Sequence, residues 1–208
     1  MQTDRRRHRR RLQLSAGFAV ALAAAAIPTL TPHGYRMLDS SRAAQADPSP
    51  VHLEADLSRR ELKVYDGDEE AATYGVAVGS KKYPTPTGSY RISKIVWNPA
   101  WIPPDEEWAR KKKPEAPGSK LNPMKVVKIF FKEPDYYIHG TSDAESLGDA
   151  ASHGCLRMDP DDAYRVARYL MDHGGSPRDE SWFWRVLHFR SETKTVYLDT
   201  PIPMRVND

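Results

Sequence analysis

The chain has 208 residues, 28% of them charged, a mean hydropathy of −0.67, a formal charge of +3 and one cysteine. Residues 1–46 hold 8 Arg against Asp4 and Asp39, so the other 162 residues carry 23 basic and 26 acidic side chains, a net of −3. The basicity therefore belongs to the N-terminus and gives no support to nucleic-acid binding, and a lone cysteine excludes an intramolecular disulfide framework.

The first 46 residues read as a targeting segment. Arg5, Arg6, Arg7, Arg9, Arg10 and Arg11 precede an apolar run from Ala16 to Ile27, and Ala44-Gln45-Ala46 fits a small-residue cleavage site. Arg10-Arg11 loosely resembles a twin-arginine signal. The same stretch, read from Leu14 to Leu30, is also long enough for an uncleaved membrane anchor. Either reading leaves the arginines cytoplasmic and exports residues 47–208 to the periplasm or cell envelope. That portion is the size of one domain.

Strand patterns then follow closely. Residues 51–57 alternate apolar and polar, as do 62–65 before the turn signal Asp66-Gly67. Residues 73–78 predict a third strand and 90–97 a fourth, entered through Pro84-Thr85-Pro86-Thr87-Gly88. Residues 97–123 lose all periodicity and hold six prolines, which predicts either a lid or cleft wall, packed through Trp97, Trp101 and Trp108, or a surface excursion without a ligand role. Strands are expected at 125–131 and 136–139, the second delivering His139. Asp159-Pro160-Asp161-Asp162 is a helix start: a capping Asp, Pro at the first helical position and acids in the first turn. That helix should bury Ala163, Val166, Ala167 and Leu170 and stop at Gly174-Gly175. A second helix over 178–190, with Trp182, Val186 and Phe189 inward, and a strand at 195–198 complete the chain. The expected class is mainly β, a β-sandwich of mixed sheets with one or two packed helices and a long proline-rich insert.

The chemistry gathers at Ser152-His153-Gly154-Cys155-Leu156-Arg157 and Ile138-His139-Gly140-Thr141. Only a thiolate attacks well, and a neighbouring histidine can take the thiol proton. His153, two residues from Cys155, would face the same side in extended chain. His139 would arrive from a separate strand, its tautomer fixed by a carbonyl such as that of Gly140. Gly154 suits a backbone amide aimed at an oxyanion beside the Cys155 N–H. Arg157 either holds a carboxylate or braces the loop through an ion pair. Two other readings stand beside this one: an inert structural thiol, and a zinc site of His139, His153 and Cys155, which lacks an evident fourth ligand. No metal and no cofactor is expected.

Together with Leu147-Gly148, Pro84–Gly88, Asn98–Pro104 and Pro117-Gly118, these segments resemble the YkuD-type L,D-transpeptidase catalytic domain over nearly all of the exported part. The resemblance implies a β-sandwich with the cysteine in a cleft and peptidoglycan stem peptides as partners. It implies that Cys155 attacks the bond after the third stem residue, releases the terminal D-alanine, and passes the acyl group to an amine. It also implies acylation by carbapenems. His139 falls at the base and Gly140 at the orienting carbonyl, His153 and Gly154 shape the cysteine loop and oxyanion site, and Tyr137 and Ser152 line the pocket. Arg157 stands where many members have Asn. The competing outcomes are hydrolysis of the same acyl-enzyme by water and a catalytically silent wall-binding protein.

Overall fold

The structure, a computed structural model, describes residues 50–208; the export segment or anchor expected at 1–46 lies outside the described residues. No helix among the described residues is long and apolar enough to cross a membrane. Eight strands, β1 (Val51–Asp56), β2 (Glu61–Asp66), β3 (Glu69–Gly75), β4 (Gly88–Trp97), β5 (Lys125–Lys132), β6 (Tyr136–Gly140), β7 (Leu156–Met158) and β8 (Lys194–Asn207), join in the order β3-β2-β1-β8-β4-β5-β6-β7. The sheet is mixed, because β1 runs parallel to β8 and β6 parallel to β7. The mainly β fold with two packed helices is as the sequence predicts.

The sheet nearly closes on itself. Residues 76–79 leave β3 and bridge to the far edge, where Ala77 and Arg157 exchange amide hydrogen bonds at 2.8 and 2.9 Å. The sequence reading merged these residues with the end of β3. In fact β3 starts earlier, at Glu69 opposite Asp66 across a turn at Gly67 (φ +60°), and the buried Val76, Ala77 and Val78 serve the closing bridge.

Period-2 burial builds the core from one face of most strands: Val51, Leu53 and Ala55; Leu62 and Val64; Ile95 and Trp97; Val127, Ile129 and Phe131; Ile138; Leu156 and Met158. The last strand extends well past the expected 195–198. Val196, Leu198, Ile202, Met204 and Val206 keep the alternation through Pro201 and Pro203, which follow a register shift against β4 that the local bulge absorbs.

Helix α1 (Pro160–His173) begins as its sequence dictates: the Asp159 carboxylate accepts the Asp161 and Asp162 amides at 2.8 and 3.4 Å. Its buried stripe is the expected one with Met171 added. Helix α2 (Glu180–His188) is shorter than expected, capped by Asp179 and ended at Phe189. Phe183 and Val186 face the core, while Phe189 leaves the helical face and is 53% exposed. Both helices lock onto Trp97, whose ring meets Tyr164, Trp182 and Phe183 edge-on at 5.7–5.8 Å. Burying an indole of that size contributes about 5 kcal/mol before entropy.

Candidate active site

Strands β6 and β7 set the site. Their parallel register pairs Ile138 with Leu156 and His139 with Arg157, so Ile138, Leu156 and Met158 enter the core and Tyr137, His139, Cys155 and Arg157 share the opposite face. One step back along the ladder, Tyr137 lies beside Cys155, and its amide and phenol act to lower the thiol's pKa. The Tyr137 and His139 rings meet edge-on at 5.6 Å. Thiol and imidazole are thus diagonal neighbours on adjacent chain segments.

His139 is 3% exposed, and its Nδ1 lies 2.9 Å from the Gly140 carbonyl oxygen. A carbonyl only accepts, so Nδ1 carries the hydrogen and Nε2 is left as the basic nitrogen. Gly140 itself has no room for a side chain: a Cβ would fall 2.7 Å from the Lys125 oxygen and 3.0 Å from Pro160 Cα. Cys155 keeps part of its surface exposed, and its S–H donates to the Asp135 carbonyl at 3.3 Å. No hydrogen bond joins it to His139 in this resting arrangement.

The charges favour a neutral pair at rest. Burial pushes the thiol up to about 11, against the Tyr137 hydrogen bonds and the Lys128 and Arg157 charges. Burial holds His139 down to about 3, with Arg157 and Lys128 repelling its proton and the Gly140 carbonyl partly offsetting them. Burial thus opposes a thiolate–imidazolium pair in this arrangement.

The cysteine loop is held from within. Ser152, 1% exposed, donates to the Cys155 carbonyl at 2.6 Å and accepts the Gly154 amide at 3.0 Å. Ser152 is thus a staple of the loop, and the Gly154 N–H offered to an oxyanion by the sequence is engaged. Gly154 sits at φ +106°, where a Cβ would meet the Tyr136 ring at 2.8 Å. This turn breaks the extended chain that would have aligned His153 with Cys155. His153 instead stacks on Trp108 of the proline-rich insert (3.8 Å, 19°) and against Tyr83 (4.7 Å); burial and the Arg157, Lys82 and Lys112 charges lower its pKa. The insert is ordered: Asn122 ties Pro99, Ala116 and Met124 together, and Trp101 bridges Glu115. Through Trp108 it packs against the cysteine loop. Arg157 makes an ion pair with Asp143 at 3.5 Å, so the bracing role accounts for it in this state.

His139, His153 and Cys155 do not gather as a metal site: among the described residues no three or more His, Cys, Asp or Glu side chains converge. One residue escaped the sequence reading. Lys128 of β5 is the register partner of His139, and its Nζ lies 4.5 Å over the Tyr137 ring. Its signal was a lysine at the outward position between core residues Val127 and Ile129, on the strand preceding the histidine.

The sequence profile of the L,D-transpeptidase catalytic domain matches residues 50–196. The YkuD protein of Bacillus licheniformis is 28% identical over 121 residues, 58% of this chain and 61% of its own length. The YqjB protein of Bacillus subtilis is 32% identical over 124 residues, 57% of this chain and 65% of its own. The chain thus spans under two thirds of the length of these relatives. Among solved structures, an L,D-transpeptidase from Mycobacterium smegmatis superposes with a TM-score of 0.49 at 18% identity, covering 76% of this chain and 59% of that one. From the profile match, which takes in most of the described residues, this chain belongs to the YkuD family of L,D-transpeptidase catalytic domains.

Proposed function

We propose that the protein is a peptidoglycan L,D-transpeptidase in which Cys155 is the nucleophile and His139 the general base. The observation that carries this reading is the shared face of β6 and β7: a partly exposed thiol diagonal to an imidazole whose Nδ1 is committed to the Gly140 carbonyl. An arriving stem peptide displaces the Asp135 carbonyl from the thiol. The S–H proton passes to His139 Nε2 as sulfur attacks the carbonyl carbon of the third stem residue. We assign the developing oxyanion to the Cys155 N–H, because the Gly154 N–H is held by Ser152. The C–N bond then breaks, His139 returns its proton to the departing D-alanine amine, and a thioester remains on Cys155. An amine of a second stem attacks that thioester, loses a proton to His139 and regenerates the thiol. The arginine block and apolar run at 1–46 support a reaction outside the cytoplasm.

Incubation of the full chain with purified sacculi, followed by digestion and separation of the fragments, tests this reading. New cross-linked dimers are expected. Trimmed tripeptides without dimers would mean that water resolves the acyl-enzyme, and unchanged sacculi would refute the proposed reaction.

A further inference from the structure

The outward face beside Cys155 carries more positive charge than its anions answer. Arg157 is paired with Asp143 at 3.5 Å, and Lys94 of β4 is paired with Glu133. Lys128 lies between them in the sheet, and no carboxylate pairs with it among the described residues; its contact is the Tyr137 ring face, 4.5 Å from Nζ. Along the sheet Lys128 has Val96 on one side and His139 on the other. An aliphatic residue could fill that place without desolvating an ammonium, so packing does not explain the lysine. The Tyr137 ring that the ammonium covers belongs to the residue that the β6–β7 register sets beside Cys155.

Charged and titratable groups approach the thiol from several elements, with Tyr136 of β6 against Gly154 and Lys132 of β5 over the Tyr136 ring. Tyr137 and His139 come from β6, Lys128 from β5 with Lys94 behind it, Arg157 from β7 against Asp143, Asp135 and Glu133 from the β5–β6 hairpin, and His153 from the cysteine loop. The hairpin offers the thiol the Asp135 carbonyl, while the Glu133 carboxylate is taken by Lys94. Lys128 and Arg157 are the register partners of His139 on its two sides; both oppose an imidazolium and favour a negative sulfur.

We propose that Lys128 is the fixed counter-charge of the Cys155 thiolate, steadying the sulfur once His139 has taken its proton. This rests on Cys155 being the nucleophile. Lys128 then has a part in the reaction distinct from the base: it holds the thiolate after the proton leaves. The flanking cations also press the imidazolium to give the proton up to the departing amine.

Cys155 is the chain's one cysteine, so iodoacetamide alkylation of the full chain reports this thiol alone: sulfur bonds to the methylene carbon and iodide leaves. Removing one nearby charge should cut the thiolate fraction about tenfold. The more basic sulfur is also more nucleophilic, which returns part of that loss. Lys128→Gln should therefore alkylate at about a third of the wild-type rate at each pH from 7 to 9, and Lys128→Met should match it should the glutamine variant not fold. Lys128→Arg should stay within about twofold of wild type. Neutral variants that fold, by circular dichroism, and react at the wild-type rate overturn the proposal while leaving Cys155 as nucleophile. A wild-type thiol that resists alkylation throughout this range contradicts the nucleophile reading itself.

Discussion

Gly154→Ala is the perturbation whose outcome the structure specifies most fully. Gly154 sits at φ +106°, and an added Cβ would lie 2.8 Å from Tyr136 Cε1 and 3.5 Å from the Pro84 oxygen. Placing an L side chain in such a conformation costs about 1–2 kcal/mol. Pushing back a ring that is itself packed on Phe131 (6.3 Å) adds about 1–3 kcal/mol. The sum, about 2–5 kcal/mol, corresponds to a fall of roughly 4–20 °C in Tm for a domain this size. Two other glycines separate the contributions. Gly148 is at φ +84° with nothing within 4 Å of a built Cβ, so Gly148→Ala should show the backbone cost alone, about 1–2 kcal/mol. Gly75 has neither restriction, and Gly75→Ala should be neutral or slightly stabilising. Thermal and urea denaturation of the three variants should rank them in that order. The Gly154 variant should also alkylate abnormally at Cys155, because the Ser152–Gly154–Cys155 hydrogen bonds move with the turn. If Gly154→Ala proves no more costly than Gly148→Ala, the reasoning about the Tyr136 contact is wrong.

Burial holds His139 down to about 3, so between pH 6.5 and 3 the unfolded imidazole binds a proton that the folded one refuses. Stability should fall as pH drops through that window, and His139→Gln should flatten this part of the urea-midpoint profile while abolishing turnover. Asn98→Ala removes the buried donor to the Val186 and Glu192 carbonyls (2.7 and 3.3 Å) and should cost about 2–3 kcal/mol by urea titration with an unchanged slope. Trp108→Ala deletes the ring stacked on His153. Limited proteolysis within 98–123 should then accelerate and turnover should drop, while the Cys155 alkylation rate stays near wild type.

The parts of this molecule legible in the sequence are those that local chemistry dictates. Asp159-Pro160 starts α1 where a capping carboxylate and a preset φ require it, and the alternation in β1 and β2 assigns their inner faces without reference to partners. The run before His139 likewise identified β6, whereas β7 (Leu156–Met158), which pairs with it, was not expected as a strand. What escaped depended on contacts between distant residues. The closing bridge at 76–79 exists because Arg157 is its partner, and β8 runs through two prolines because β1 and β4 flank it. His153 looked like a second base by spacing, but the turn at Gly154 and the stack on Trp108 take its ring elsewhere. Lys128 was invisible as chemistry until the register set it opposite His139. The burial that opposes charge on both His139 and Cys155 depends on tertiary packing, which no local motif carries.

Intact-mass spectrometry of the full chain with a tetrapeptide stem or a carbapenem, followed by peptide mapping, bears most directly on the central claim. A covalent adduct should form on Cys155, be absent from Cys155→Ala, and form far more slowly in His139→Gln. An adduct mapped to another residue, or tetrapeptide turnover undiminished in Cys155→Ala, would contradict the account.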